Sequence, residues 1–230
     1  IFEVGAVYLP VEGKSLPDEP RRLCGVMTGP RETESWIAGQ DRAAMDFYDL
    51  KGVVEALLAG LRLSGEFEPA AHPAFHPGRC AQVKVGEDIV GVMGELHPQV
   101  RSAFDLPEQQ PVCALEFDLD RVLEAWGAPH KLRPISVHPP VYEDLAIVVD
   151  ERVAEVEVGA LITQTGSPLV RSAGLFDVYR GEQIGAGKKS LAYRLVYQAD
   201  DRTLTDKEVA KLRGKIVRRL EREIDASLRG

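Results

Sequence analysis

Cysteine is scarce in this 230-residue sequence, which contains only Cys24, Cys80 and Cys113, far apart from one another. An odd number of widely spaced cysteines argues against a disulfide framework and against a zinc knuckle, and it fits a reducing cytoplasm. The sequence also lacks any apolar run near the roughly 20 residues that a bilayer-spanning helix needs, and it has no signal-peptide pattern. We therefore expect a soluble, cytoplasmic protein.

Positive charge is also in short supply, because 28 Lys and Arg face 36 Asp and Glu for a net charge of −8. An RNA-binding protein normally needs a basic footprint. Residues 1–133 carry 13 basic and 21 acidic residues, whereas residues 134–230 carry 15 of each, so the acidic excess lies entirely in the first part. Cations of the second part gather at Lys188 and Lys189 and along a predicted helix. A solvated helix face and a phosphate-facing one remain open alternatives for Lys207, Lys211, Arg213, Lys215, Arg218, Arg219 and Arg222.

Patterns of catalysis are missing as well. No GxSxG nucleophile elbow occurs, and the run GEQIGAGKKS fails as a phosphate loop because Glu182 stands where the first glycine belongs. His76 and His97 each precede a proline, and their proximity to Glu95 raises the question of a metal or acid–base site. A turn is the better interpretation, because no third ligand is evident. We expect no catalytic residue, no metal site and no cofactor in this chain.

The first part of the chain reads as an antiparallel sheet with one long helix. Residues 1–10 and 23–29 predict a strand pair, residues 31–45 a loop, and residues 76–86 and 89–98 a hairpin turning at 86–88. A further strand and a helical turn follow at 113–123. Asp46 can cap a helix whose apolar stripe faces the core. That stripe comprises Leu50, Val53, Val54, Leu57, Leu58 and Leu61.

The second part follows Pro134, Pro139 and Pro140, which mark the predicted boundary between residues 1–133 and 134–230. Residues 143–150 read as a strand, 154–165 as a helix, and 175–179 and 190–198 as a hairpin around a glycine-rich turn. Thr205 and Glu208 form a capping-box pattern that opens a second helix, and a short apolar run closes the chain at 226–228. The order β-α-β-β-α-β predicts an α+β, ferredoxin-like domain with two helices on one face of an antiparallel sheet.

Strand alternation indicates which side chains lie on the face of that sheet away from the helices. Leu191, Tyr193, Leu195 and Tyr197 form the apolar set that should face the helices. The open face should then carry Asp177, Tyr179, Ser190 and Arg194, with Asp144 near its edge. Such a surface is typical of proteins that read single-stranded RNA. From the pattern alone, a cross-strand Asp177–Arg194 ion pair with a half-buried Tyr179 is the simpler alternative.

The segments LFDVY, GKKSLAYRL and DRTLTDKEV follow one another behind EDLAIVVD, and DFYDLKG, HPGR and GELHP precede them. The first group resembles the C-terminal ferredoxin-fold anticodon-binding domain of the bacterial phenylalanyl-tRNA synthetase beta-subunit family, and the second group is similar to the catalytic-like module of that family. The resemblance covers nearly the whole chain. It implies that residues 1–133 form part of a class II synthetase-like antiparallel module that has lost catalysis, and that residues 134–230 bind the anticodon. Because the sequence opens at Ile1 inside an apolar run, we expect it to be a piece of a longer protein.

The resemblance also implies partners and site residues. Asp177 and Ser190 should lie nearest the anticodon of tRNA(Phe), with Tyr179 and Arg194 beside them and with Lys188 and Lys189 on the backbone. The partner would be the alpha subunit in an alpha2-beta2 assembly, and ATP and magnesium would act only in the intact enzyme. Glu143 departs from the arginine that the family usually has there, which argues against a phosphate contact at that position. Two other functions stay open, a ferredoxin-like regulatory or protein-interaction module without RNA binding and a purely structural dimerisation piece.

Overall fold

A computed structural model of the chain describes residues 1–32, 35–36, 43–107, 109–126 and 135–229. The chain divides into two compact units, Ile1–Lys131 and Leu132–Gly230. Both combine helices with antiparallel sheets, which confirms the predicted α+β class. The boundary predicted at residues 133 and 134 lies outside the described residues. None of the helices in the described ranges is long and apolar enough to cross a membrane.

The first unit contains a six-stranded antiparallel sheet. Its strands are β1 (Phe2–Ala6), β2 (Arg21–Thr28), β3 (Gly65–Pro69), β4 (Phe75–Val85), β5 (Asp88–Leu96) and β6 (Val112–Asp118), in the order β1-β2-β6-β5-β4-β3. The predicted β1–β2 pair and the β4–β5 hairpin are confirmed. Gly86 turns that hairpin at φ 62°, a left-handed conformation that glycine adopts without strain. Strand β3 was not predicted, because it is only five residues long and ends in a proline.

The described residues of this unit also form the helices α1 (Phe47–Gly60), α2 (Pro98–Ala103) and α3 (Leu119–Ala125). Asp46 caps α1 as predicted, accepting hydrogen bonds from the amides of Tyr48 and Asp49. The predicted stripe was too wide, because Leu50, Val54 and Leu58 are buried whereas Val53 and Leu57 stay exposed. Leu61 is partly buried against the same core, so the stripe that meets the sheet is Leu50, Val54, Leu58 and Leu61. The predicted loop at 31–45 falls partly on residues 33, 34 and 37–42, outside the described part of the chain.

The second unit has the predicted order of elements: β7 (Val141–Asp150), α4 (Glu155–Gly166), β8 (Val170–Tyr179), β9 (Lys188–Tyr197), α5 (Asp206–Ile224) and β10 (Ser227–Leu228). The sheet order is β10-β7-β9-β8, with every pair antiparallel, which is the ferredoxin-like arrangement. Helices α4 and α5 pack on one face of this sheet. The core between them includes the fully buried Val158, Ile162, Leu191, Tyr193, Leu195, Tyr197, Ile216 and Leu220.

The N-terminus of α5 holds the capping box that the sequence predicts. The Thr205 hydroxyl oxygen accepts from the Glu208 amide at 3.4 Å, and the Glu208 carboxylate accepts from the Thr205 amide at 2.9 Å. That amide, the Arg202 guanidinium and the Thr205 hydroxyl lower the pKa of Glu208 to about 2. The carboxylate is therefore charged, and its hydrogen bonds are intact, well into the acid range.

Substituting Thr205 by Ala should cost about 1 kcal/mol of unfolding free energy, because one amide of the first turn loses its acceptor. Since the folded-state pKa of Glu208 is depressed, the stabilisation that its charge provides is complete above the ordinary value near 4.5 and is lost as the pH falls toward about 2. Urea titrations at pH 7, 4 and 3 would measure both effects. Thr203→Ala, at an exposed position just before the cap, is the matched control and should change little. Equal losses of unfolding free energy for the two variants would contradict the assignment of Thr205 as the N-cap of α5.

Candidate nucleic-acid interface

The open sheet face is the surface of the second unit on the side of the sheet away from α4 and α5. Leu191, Tyr193, Leu195 and Tyr197 are buried toward the helices, as the alternation predicts, so the intervening residues of β9 point to the open side. The strand register orders that side in rows. Successive rows are Tyr142 with Val196, then Asp144, Arg194 and Gly174, then Ala146, Ala192 and Asp177, and finally Val148, Ser190 and Tyr179.

Asp177 reaches the open sheet face through a β-bulge. Leu175 pairs with Tyr193 and Asp177 pairs with the next residue, Ala192, so Phe176 is the extra residue of the bulged strand. Asp177 is exposed, and its side chain forms no hydrogen bond or ion pair with any residue that the structure describes. Its carboxylate therefore has its full hydrogen-bond capacity available for a ligand.

Arg194 forms an ion pair with Asp144 of β7. Its Nε lies 2.9 Å from Oδ1 of Asp144 and its Nη2 lies 3.0 Å from Oδ2, which makes the ion pair bidentate. The hydrogen bonds from this guanidinium lower the pKa of Asp144. The alternative pairing of Arg194 with Asp177 is wrong. Because of the bulge, Gly174 occupies the β8 position opposite Arg194, whereas Asp144 stands directly across on β7.

Ser190 is not the exposed side chain that a direct contact with a base would require. It lies in a row of the open sheet face, but only 2% of its surface is accessible. A small side chain between Val148 and Tyr179 is shielded by its larger neighbours. Tyr179 itself is partly exposed, and the guanidinium carbon of Arg229 lies 4.6 Å from the centre of its ring.

The two lysines at the start of β9 have different environments. Lys188 is exposed, and its side chain has no hydrogen-bonding partner within the described ranges. Lys189 donates from Nζ to the backbone carbonyl of Glu151 at 2.9 Å. The Glu151 carboxylate pairs with Arg180, whose hydrogen bonds lower the pKa of that acid. Lys188 is thus the more available cation for an incoming phosphate.

Sequence reasoning missed two aromatic side chains of the open sheet face. Phe176 is 55% exposed, and the Arg194 guanidinium carbon lies 5.2 Å from its ring centre. Tyr142 is 65% exposed and pairs with Val196 in the first row. Alternation assigned Phe176 to the helix side because the bulge was not anticipated, and Tyr142 preceded the predicted start of the strand. With Tyr179, the face carries three aromatic rings.

Glu143 lies on the opposite side of the sheet from these rings. Its carboxylate accepts a hydrogen bond from the Tyr197 hydroxyl at 3.2 Å and from Arg213 of α5 at 2.9 Å. Burial, with the Glu143 charge as the next cause, raises the pKa of Tyr197. The carboxylate of Glu143 therefore joins β7 to α5.

The histidines of the first unit organise turns, as predicted. Nδ1 of His76 accepts from the amide of Gly78, and Nδ1 of His97 accepts from the amide of Gln99 at the start of α2, both at 3.2 Å. Glu95 pairs with Arg79. Within the described parts of the chain, no three metal-ligating side chains cluster. Burial, reinforced by the Glu95 charge, raises the pKa of Cys113 to about 12, so this thiol stays protonated.

Comparison with known proteins gives two family matches and a consistent set of relatives. The model of the phenylalanyl tRNA synthetase beta chain CLM domain matches residues 1–119, and that of the ferredoxin-fold anticodon binding domain matches residues 136–229. The phenylalanine–tRNA ligase beta subunit of Symbiobacterium thermophilum is 44% identical over 230 residues, covering 100% of this chain and 25% of the relative. The corresponding subunit of Geobacillus kaustophilus is 40% identical over 235 residues, covering 100% and 28%. The chain thus spans about a quarter of the length of these relatives.

Proposed function

Because the chain belongs to the phenylalanyl-tRNA synthetase beta-chain family, we propose that it serves tRNA binding and subunit assembly in a phenylalanine–tRNA ligase. The intact enzyme would join phenylalanine to tRNA(Phe) with ATP and magnesium, in the cytoplasm and together with an alpha subunit in an alpha2-beta2 assembly. Residues 1–133 would be the class II synthetase-like module without catalysis, and residues 134–230 the anticodon-binding domain. The catalytic residues would then lie outside this chain.

The exposed, unpartnered carboxylate of Asp177 on a face with three aromatic rings is the observation that supports RNA recognition most strongly. A carboxylate repels phosphate, so it is a poor choice for contacting the RNA backbone. It is well suited to accept hydrogen bonds from a base edge, such as the amino and imino hydrogens of guanine. Recognition of this kind needs unstacked bases, and exposed aromatic rings hold unstacked bases.

The neighbours of Asp177 take complementary roles in this proposal. Tyr179, Phe176 and Tyr142 would stack on bases, and Lys188 would hold the phosphate backbone. Arg194 is committed to Asp144 and therefore supports the Phe176 ring instead of contacting phosphate. Ser190 is buried, so it contributes through its small size beside Tyr179 and does not reach the base itself.

Asp177→Ala should weaken binding of the cognate tRNA by about 1 to 3 kcal/mol and should have little effect on tRNAs with an altered anticodon. Binding and aminoacylation by the intact enzyme that carries the change would measure this discrimination. Lys188→Ala is the matched control, because loss of a phosphate contact weakens all tRNAs alike and reduces the salt dependence.

Equal losses on cognate and altered tRNAs would show that Asp177 does not read a base. If the chain does not bind tRNA, or if its affinity for tRNA does not depend on salt, the result would instead favour the regulatory or protein-interaction alternative.

A further inference from the structure

Helix α5 presents a row of cations to solvent. Lys207, Lys211, Lys215, Arg218 and Arg222 recur every three or four residues, so they lie on one side of the helix, and all five are exposed. At a rise of about 1.5 Å per residue, this cation stripe is about 22 Å long. Ala210, Gly214 and Glu221 border one edge of it.

The stripe lies opposite the side of α5 that packs into the core. Val209, Ile216, Val217 and Leu220 are the buried residues of the helix, and the first two and Leu220 lie directly opposite the stripe. Its other two cations have internal partners: Arg213 pairs with Glu143 on β7, and Arg219 donates to Thr165 and Gln164 on α4 at 3.1 and 3.3 Å. The cations of α5 thus divide into two that hold the fold together and five that point away from it.

The contacts of the stripe residues show little that would stabilise the fold. The side chains of Lys207, Lys211, Lys215 and Arg218 form no ion pair or hydrogen bond with any described residue, and Arg222 shares Glu223 with Arg219. Like charges four residues apart on a helix repel each other, so this spacing disfavours the helix when no anion is bound. Lys215, Arg218 and Arg222 also border a shallow groove that contains Thr165 and Arg219.

We propose that the cation stripe binds the phosphate backbone of duplex RNA, as a second RNA-binding surface on the opposite side of the unit from the open sheet face. A straight row of lysines and arginines neutralises phosphates without needing a base sequence. Protein interfaces instead depend on buried aromatic or apolar anchors, and the stripe and its Ala210–Gly214–Glu221 border offer none of them. The proposal rests on the proposed function only in taking RNA as the polyanion.

The test compares the 230-residue chain with two triple variants of equal net charge. The stripe variant is Lys211→Gln, Lys215→Gln and Arg218→Gln. The control variant is Lys14→Gln, Arg121→Gln and Arg152→Gln, which removes three exposed cations elsewhere. Binding of a labelled, blunt-ended RNA duplex without an anticodon loop is measured across salt concentrations, after circular dichroism has checked that each variant is folded.

The stripe variant should reduce the slope of log affinity against log salt by about 2 to 3, because each phosphate contact contributes about 0.7 to 0.9. The control variant should keep the slope of the unaltered chain, and Asp177→Ala should bind the duplex normally. Equal slopes for the two triple variants would overturn the proposal, as would failure of the unaltered chain to bind the duplex. Stripe-dependent binding of polyglutamate as tight as that of the duplex would also overturn it, in favour of an acidic protein partner. None of these results depends on whether Asp177 discriminates between anticodons, so the two proposals fail separately.

Discussion

Arg79→Ala should lower the unfolding free energy of the first unit by about 3 kcal/mol. Nη1 of Arg79 lies 2.5 Å from Oε2 of Glu95, whose side chain is only 9% exposed. Removing the arginine leaves a buried carboxylate without its counter-charge, which costs far more than losing a surface ion pair. We expect the lower end of the range for broken buried pairs, because the arginine side chain is 55% exposed and water can enter the space that it leaves.

A double variant separates loss of the pair from loss of the side chain. Arg79→Met with Glu95→Met removes both charges and keeps most of the volume, so it should be more stable than Arg79→Ala. Both tryptophans, Trp36 and Trp126, belong to the first unit, so urea denaturation followed by tryptophan fluorescence reports on this unit alone. Arg121→Ala, which removes an arginine that is 54% exposed and lies 3.7 Å from Asp118, is the control and should cost less than about 1 kcal/mol. An Arg79→Ala loss no larger than that of the control would mean that Glu95 is solvated.

Local sequence signals were enough to predict most of the secondary structure. Asp46 and Thr205 mark the start of α1 and α5 because a cap depends only on the next three residues. Alternation alone predicts which residues of β9 face the helices, because this strand is regular. Strand β3 and helix α2 were missed because each is short, five and six residues long, and β3 becomes a strand only by pairing with β4.

The open sheet face was harder to predict because it depends on register. A single extra residue at Phe176 shifts every later residue of β8 relative to β9, and no local signal marks that bulge. Arg194 pairs with Asp144 because Asp144 stands directly across from it on β7, whereas Asp177 stands across from Ala192, one row away. Burial of Ser190 depends on the size of its cross-strand neighbours, which alternation does not contain. The resemblance supplied a role for Asp177, which remains a prediction.

Tyr193→Ala should be the most damaging single change in the second unit, with a loss of about 3 to 5 kcal/mol. Its side chain is completely buried at the centre of β9, and its hydroxyl lies 3.3 Å from the Glu155 carboxylate of α4. Burial, followed by the Glu155 charge, raises the pKa of this hydroxyl, so it stays neutral. Removal of the ring leaves a cavity that a sheet clamped by two helices cannot close. Tyr193→Phe keeps the ring and should cost only about 1 kcal/mol.

Tyr193 and Tyr142 together distinguish the stability of this sheet from its binding of RNA. Tyr193 precedes Arg194 in β9 and faces the core. Tyr193→Ala should therefore reduce tRNA binding only in proportion to the fraction of the unit that is unfolded. Tyr142→Ala removes an exposed ring from the open sheet face, so it should leave stability within about 0.5 kcal/mol and weaken tRNA binding by about 1 to 3 kcal/mol. Amide hydrogen exchange of peptides from β7 to α5 measures the first quantity, and salt titration of tRNA binding measures the second. If Tyr142→Ala leaves tRNA binding unchanged, then its ring does not stack on a base, and the aromatic surface for RNA shrinks to Phe176 and Tyr179.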